Sequence, residues 1–175
     1  MKILSLVPIG GVDRRLLESL CESLAPRLRV ACSIQPDCLD ADFAYNPLRA
    51  QYHSTEILQK LLQELPGESW KVLGVTEVDL YIPILTFVFG EAQLDNHGAV
   101  VSLHRLRQEF YGLPGDLPLL QSRLLKEALH ELGHTYGLRH CADYRCAMSS
   151  SHAVERIDLK RADFCEVCSQ MIATS

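Results

Sequence analysis

The segment "HELGHTYGLRHC", residues 130–141, contains three histidines, a glutamate and two glycines, and a cysteine follows the last histidine directly. Its first five residues have the HExxH spacing, which places residues i and i+4 on one face of a helix. His130 and His134 can therefore direct their imidazole rings at one metal ion. Gly137 predicts a reversal of the chain after the helix, because glycine adopts positive φ readily. That reversal would return His140 to the same ion as a third ligand.

Three imidazole ligands leave one tetrahedral position of a zinc ion open to water, as in catalytic rather than structural zinc sites. Zinc lowers the pKa of this bound water to about 7. Glu131 projects towards the open side, so we expect it to act as general base on the water and then to donate the proton to a leaving amine. The alternative is a chance HExxH on an ordinary helix, and the offsets of Gly137 and His140 argue against it.

Cys141 either belongs to the same metal or begins a second site. Adjacent residues of an extended chain point in opposite directions, and a fourth protein ligand would displace the water. Cys141 is better grouped with Cys146, Cys165 and Cys168 as a metal ligand. Together these cysteines form the pattern C-x4-C followed by C-x2-C. Two such pairs are typical of a closed structural zinc site with four thiolates. The sequence therefore predicts two zinc ions per chain, one catalytic and one structural. Disulfide pairing of these four cysteines is the alternative.

The other cysteines, Cys21, Cys32 and Cys38, are scattered through the N-terminal part, and we expect them to be buried as small apolar side chains. The N-terminal segment "MKILSLVPIGG" has too short an apolar run for a signal peptide, and no small-residue cleavage site follows it. We therefore expect a cytoplasmic location. A reducing compartment favours metal ligation over disulfides for clustered cysteines.

The composition argues against two classes of partner. The chain has 175 residues, of which 47% are hydrophobic, and this suits one globular domain. The formal net charge is -5 and no long Lys/Arg run occurs, so we expect no nucleic-acid partner. No apolar stretch reaches the roughly 18 residues needed to cross a bilayer, so we expect no membrane partner. We expect a monomer.

Hydrophobic patterning predicts an α/β (α+β) fold. Predicted strands and helices alternate as β-α-β-α-β, at residues 2–9, 13–24, 27–34, 54–65 and 70–78. This alternation favours a parallel sheet with crossover helices. A hairpin of 86–94 and 99–106 follows, because the link "DNHG" is too short for a helix, and it adds an antiparallel strand. The remaining predictions are a loop over 35–52, a helix over 119–136 and a final helix over 158–171.

The segment fits the metzincin signature H-E-x-x-H-x-x-G-x-x-H, and "CAM" (146–148) supplies the methionine of the Met-turn. With its two cysteine pairs the chain resembles the archaemetzincins, a metzincin branch with a second zinc. The resemblance implies a metzincin-like fold. Its upper subdomain, about 1–137, would contain a mixed sheet, crossover helices, an antiparallel edge strand and the active-site helix. A short zinc-stapled lower subdomain, about 138–175, would complete a single catalytic domain over 1–175, with the substrate groove between the two.

The resemblance also implies residue roles. The catalytic zinc ligands would be His130, His134 and His140, with Glu131 as general base and acid. The second zinc would be held by Cys141, Cys146, Cys165 and Cys168, and Met148 would form the Met-turn. The segment "MSSS" has no tyrosine two residues after this methionine, so the oxyanion-stabilising residue stays open. Tyr144 is expected to be a packing residue.

These features predict a zinc-dependent metallopeptidase that acts on peptide or small-protein substrates. An extended peptide would pair by β-augmentation with an edge strand made of Phe87, Val88, Phe89, Gly90, Glu91 and Ala92. One alternative is a zinc-stabilised module that binds peptides or proteins without cleaving them. The other is a non-peptidase zinc amidase. The intact Glu131 favours chemistry, because binding alone would not need it.

Overall fold

The computed structural model describes residues 1–37, 39–64 and 67–174. The strands in these ranges are β1 (Ile3–Ile9), β2 (Ala31–Ile34), β3 (Tyr45–Asn46), β4 (Gln51–His53), β5 (Lys71–Thr76), β6 (Leu80–Tyr81), β7 (Gly90–Ala92) and β8 (Gly98–Ser102). The α-helices are α1 (Arg14–Leu28), α2 (Ser54–Gln63), α3 (Leu117–Thr135), α4 (Val154–Leu159) and α5 (Glu166–Ala173). No helix in the described ranges is long and apolar enough to span a membrane.

A five-stranded sheet with the strand order β2-β1-β5-β8-β7 forms the centre of the fold. β1 runs parallel to β2 and β5, because α1 and α2 carry the chain back across the sheet. β5 also runs parallel to β8, and the chain between these two strands passes through β6 and β7. β7 runs antiparallel to β8 and forms one edge. The predicted mixed sheet with crossover helices and an antiparallel edge strand is therefore confirmed.

Helices cover both faces of this sheet. α1 and α3 pack on one face, where Leu6 and Leu73 join the buried side chains of both helices. α2 packs on the opposite face, against Val7 and Val72. Neighbouring residues of one strand thus pack into the cores on opposite faces of the sheet, because side-chain direction alternates along a strand. A strand covered on both faces is a continuous apolar run, which explains why β1 and β5 are recognisable from the sequence.

The segment predicted as a loop, 35–52, contains β3 and the first two residues of β4, and these strands form a second sheet with β6. Gln51 holds this segment in place. Its buried side-chain amide donates to Asp79 Oδ2 at 3.0 Å and to the Thr86 carbonyl oxygen at 2.9 Å. These contacts join residues that are far apart in sequence, so the local composition does not reveal them.

The N-terminal cysteines were expected to be buried as small apolar side chains. Cys21 is buried and Cys32 is partly buried, but the two are paired with each other and are not separate apolar side chains. Cys21 and Cys32 form a disulfide, because α1 packs against β2 and brings their Cα atoms to 5.6 Å. Cys38 lies outside the described residues. The strand predicted over 27–34 begins only at Ala31, since α1 continues to Leu28, whose buried side chain keeps the last turn on the core.

The single final helix predicted over 158–171 is also wrong. α4 and α5 are separate, and the segment between them contains Lys160 and Cys165 in extended conformation. Lys160 turns inward to a buried ion pair with Glu127 of α3. The Cys165 N–H points at the Cys146 sulfur at 3.3 Å. Both contacts are tertiary, and they outweigh the helical periodicity of the tail.

Candidate metal centres and cleft

His130 and His134 lie one turn apart on α3, and each ring is oriented by a backbone carbonyl. His130 Nδ1 donates to the Ala147 oxygen at 2.8 Å, and His134 Nδ1 donates to the Leu138 oxygen at 2.7 Å. A carbonyl oxygen can only accept, so both Nδ1 atoms carry the proton. In the neutral rings each Nε2 atom is therefore without a proton, which is the form that a metal needs.

His140 completes a three-histidine cluster whose donor atoms all lie within 4.8 Å of one another. Gly137, at φ +87°, reverses the chain as its sequence position predicts. The Nε2 atoms of His130 and His134 are 3.2 Å apart, although two unprotonated nitrogens cannot hydrogen-bond to each other. A tetrahedral zinc with bonds of about 2.0–2.1 Å would hold two ligand nitrogens roughly 3.3 Å apart. The cluster therefore fits zinc.

The protonation states of these rings favour the same conclusion. Burial lowers the pKa of His130 well below its ordinary value, and the positive charge of Lys160 acts in the same direction. Burial also lowers the pKa of His134 and of His140. Neutral imidazoles are the metal-binding form, so the cluster need not lose protons to accept an ion near neutral pH.

A second cluster contains the sulfur atoms of Cys141, Cys146, Cys165 and Cys168, all within 4.8 Å of one another. The four cysteines are free, so disulfide pairing among them is excluded in this structure. The Cys141 and Cys165 sulfurs are 3.8 Å apart. Two thiolates on a tetrahedral zinc with Zn–S bonds of about 2.3 Å would be separated by roughly the same distance. This cluster also fits zinc.

Met148 lies between the two clusters. Its side chain is fully buried and packs with Leu138, Cys146 and Cys168. The Met148 N–H points at the Cys146 sulfur, and its carbonyl oxygen accepts from the Cys141 N–H at 3.0 Å. These two contacts close the turn that contains Cys141 and Cys146.

The histidine cluster opens into a cleft of about 700 Å³ that also contains Glu131. Burial raises the pKa of Glu131 well above its ordinary value, and the negative charge of Glu127 raises it further. Gly90 lies directly against this carboxylate. A β-carbon at Gly90 would come within 2.7 Å of the Glu131 Cγ atom and 2.9 Å of its Oε1 atom. The close approach of β7 to α3 therefore needs glycine at this position.

The predicted edge strand is shorter in the structure than 87–92. Only Gly90–Ala92 form β7, since the Val88 N–H donates to the Leu80 carbonyl oxygen of the second sheet. All six residues, Phe87, Val88, Phe89, Gly90, Glu91 and Ala92, still line the cleft.

The backbone of β7 presents hydrogen-bonding groups to the cleft. The Ser102 N–H donates to the Phe89 oxygen and the Gln93 N–H to the Gly98 oxygen. Hydrogen-bonded pairs alternate along an antiparallel ladder, so Glu91 faces β8 in the register that is observed. Gly90 and Ala92 consequently turn their N–H and C=O groups outward, to the open edge of the sheet.

Several cleft residues had no role assigned from the sequence. Arg139 and His152 line the cleft and are exposed. Glu127 lines it too, one turn before Glu131, and that spacing on α3 is the one sequence signal that could have identified it. Tyr144, expected to pack, is instead 56% exposed.

Comparison with known proteins gives the family. Residues 37–174 match Peptidase family M54. The chain belongs to this family, the archaemetzincins. The archaemetzincin of Methanocaldococcus jannaschii is 45% identical over 161 residues, which cover 92% of this chain and 87% of that protein.

Two solved structures extend the similarity to the fold. An archaemetzincin from Archaeoglobus fulgidus complexed with malonate is 35% identical, with a TM-score of 0.84 over 97% of this chain and 99% of that one. A zinc-dependent peptidase from Methanocorpusculum labreanum is 32% identical, with a TM-score of 0.87 over 97% and 99% of the two chains. The predicted archaemetzincin resemblance and metzincin-like fold are confirmed. The archaemetzincins are a zinc metallopeptidase family, and peptides are the substrates that such a family implies.

Proposed function

We propose that this chain hydrolyses peptide bonds with a zinc ion held by His130, His134 and His140 and with Glu131 as general base. The observation that carries the proposal is one juxtaposition. One cleft is lined by three imidazoles whose donor atoms lie close together, by the buried Glu131 carboxylate and by the open edge of β7. A second zinc, held by the four clustered cysteines, would stabilise the turn that follows the third histidine.

The residues of the cleft can perform the steps of hydrolysis. When bound, zinc acts as a Lewis acid that polarises the scissile carbonyl and makes the attacking water more acidic. Glu131 accepts the proton of that water and then delivers it to the leaving amine. Its raised pKa makes the Glu131 carboxylate a stronger base towards the proton of that water.

The outward backbone of β7 supports an extended peptide as substrate. A peptide that adds to the sheet as a further strand would accept from the Gly90 and Ala92 N–H groups and donate to their carbonyls. Its main chain would then pass over the histidine cluster, because β7 and that cluster line one cleft. Arg139 and His152 would face such a peptide.

We also propose that the chain works as a single catalytic domain. The cleft has walls from both sides of Gly137, since Gly90 and Glu131 precede it and His140 and His152 follow it. An upper part of about 1–137 and a lower part of about 138–175 would therefore enclose the substrate together.

A peptide-library cleavage experiment tests this function. Zinc-loaded wild-type chain should release products that mass spectrometry identifies, and Glu131→Gln should lower the rate by about 10²–10⁴-fold while it keeps its zinc. Capture of peptides by the wild type without cleavage would favour the binding module. Hydrolysis of small amides but of no peptide would favour the amidase.

A further inference from the structure

A buried lysine lies beside the histidine cluster without being part of it. The side chain of Lys160 is 0% exposed and that of Glu127 is 3% exposed, and their Nζ and Oε1 atoms are 3.2 Å apart. Lys160 Nζ also donates to the Ala147 carbonyl oxygen at 3.2 Å. The lysine thus joins the active-site helix to the turn beneath it.

The Ala147 carbonyl is the same group that orients His130. Its oxygen accepts from His130 Nδ1 at 2.8 Å as well as from Lys160. A carbonyl oxygen has two lone pairs, so it can accept both hydrogen bonds at once. Glu127, Lys160, Ala147 and His130 therefore form a continuous chain of contacts. Ala147 follows Cys146 directly, so the chain of contacts also reaches the cysteine cluster.

We propose that Lys160 is a positioning residue, which together with Glu127 holds the Ala147 carbonyl and thereby fixes the ring of His130 for zinc. This inference rests on the proposed zinc site and adds to it the support that keeps one ligand in place. Groups that hydrogen-bond to metal-ligating histidines typically account for about 10–100-fold in metal affinity.

A role in attaching the tail is already filled by other residues. Arg123 binds both Asp158 oxygens, at 2.8 and 2.7 Å, and Lys126 Nζ donates to the Asp158 carbonyl oxygen at 3.3 Å. These contacts tie α4 to α3 without Lys160. The desolvation of a buried ion pair offsets much of its attraction, so net stability alone does not account for the pair.

A double variant separates positioning from stability. Lys160→Met with Glu127→Leu removes both charges and leaves no unpaired ion, and we expect it to fold with a melting temperature near that of the wild type. Its histidine site should bind zinc about 10-fold more weakly in chelator competition, while the cysteine site keeps its zinc. With Co²⁺ in the histidine site, the ligand-field absorption should also change. Lys126→Met is the matched control, because this lysine contacts α4 but not Ala147, and its zinc affinity should equal that of the wild type.

Two results would overturn the proposal. One is a folded double variant that binds zinc at the histidine site as tightly as the wild type. The other is unfolding of the double variant, which would mean that the Lys160–Glu127 pair is needed for folding. Failure of the proposed function would be seen separately, as a wild-type chain that cleaves no peptide. The positioning proposal is tested by zinc affinity, which is measured without any activity. His130→Ala serves as the reference for complete loss of the histidine site.

Discussion

The sulfur of Met148 occupies the space beside Gly133 in which any larger residue would place its β-carbon. Gly133 lies on α3 between His130 and His134, and Met148 belongs to the turn that packs against this helix. The turn therefore packs directly against the backbone of this helix.

Gly133→Ala should consequently destabilise the protein by about 1–3 kcal/mol, as overpacking of a core does. The expectation runs against helix propensity, because alanine is favoured over glycine in a helix by about 1 kcal/mol. Urea unfolding measures the difference. In a Met148→Ala background the same substitution should cost much less. Stabilisation by Gly133→Ala in the wild-type background would contradict the close contact.

Two ligand sets of unlike chemistry predict two zinc ions of unlike lability. The four-thiolate site is closed, whereas the histidine site keeps a position open to solvent. Metal analysis of fully loaded protein should find two zinc ions per chain, and mild chelation should leave about one. If the loaded protein never contains more than one zinc, the two-site assignment is wrong.

Cys165→Ser tests the cysteine cluster by replacing a thiolate with a poor ligand. Metal affinity at such a site contributes directly to folding, and a loss of roughly 2 kcal/mol should lower Tm by about 5 °C. Zinc content should fall by one equivalent. Val167→Ser is the control, since Val167 lies between two of the ligands and is 66% exposed. A Cys165→Ser protein with native Tm and full zinc would remove the structural role.

The substrate edge is best tested at Ala92. Gly90→Pro would also weaken peptide binding, but its β-carbon would press on Glu131 and confuse the result. Ala92→Pro deletes an outward N–H without that contact, and the loss of one backbone hydrogen bond of about 0.5–1.5 kcal/mol should weaken peptide binding roughly 3–10-fold. Ala92→Gly keeps the N–H and should bind like the wild type. Equal KM values for the wild type, Ala92→Pro and Ala92→Gly would argue against β-augmentation.

Lys71 makes a specific contribution to the pH dependence of stability. Burial lowers its pKa to about 8, against the opposing effect of Asp95, while Nζ donates to the Asn96 and Thr135 carbonyls. Between that value and its ordinary pKa of 10.5, the unfolded chain binds the proton that the folded chain releases. Stability therefore rises with pH across this window. The unfolding free energy of wild type minus that of Lys71→Met should increase from pH 8 to pH 10.5, and a flat difference would exclude the shift.

The parts of the site that were predictable from sequence depend on local geometry. His130 and His134 share a face because of helical period, and the reversal at Gly137 requires only a glycine. The apolar runs of β1 and β5 likewise follow from burial on both faces. Short-range rules govern each of these features, so a linear sequence contains the information.

The sequence by itself determined the two clusters of candidate metal ligands, the parallel sheet with its antiparallel edge and the family. Only the tertiary structure decided that Cys21 meets Cys32, that Lys160 reaches Ala147, and that Gly90 lies against Glu131. Each of these contacts joins residues on different elements, so it depends on how the elements pack. The division of the tail into α4 and α5 has the same cause, because buried contacts to α3 and Cys146 are stronger there than the periodicity of a short helix.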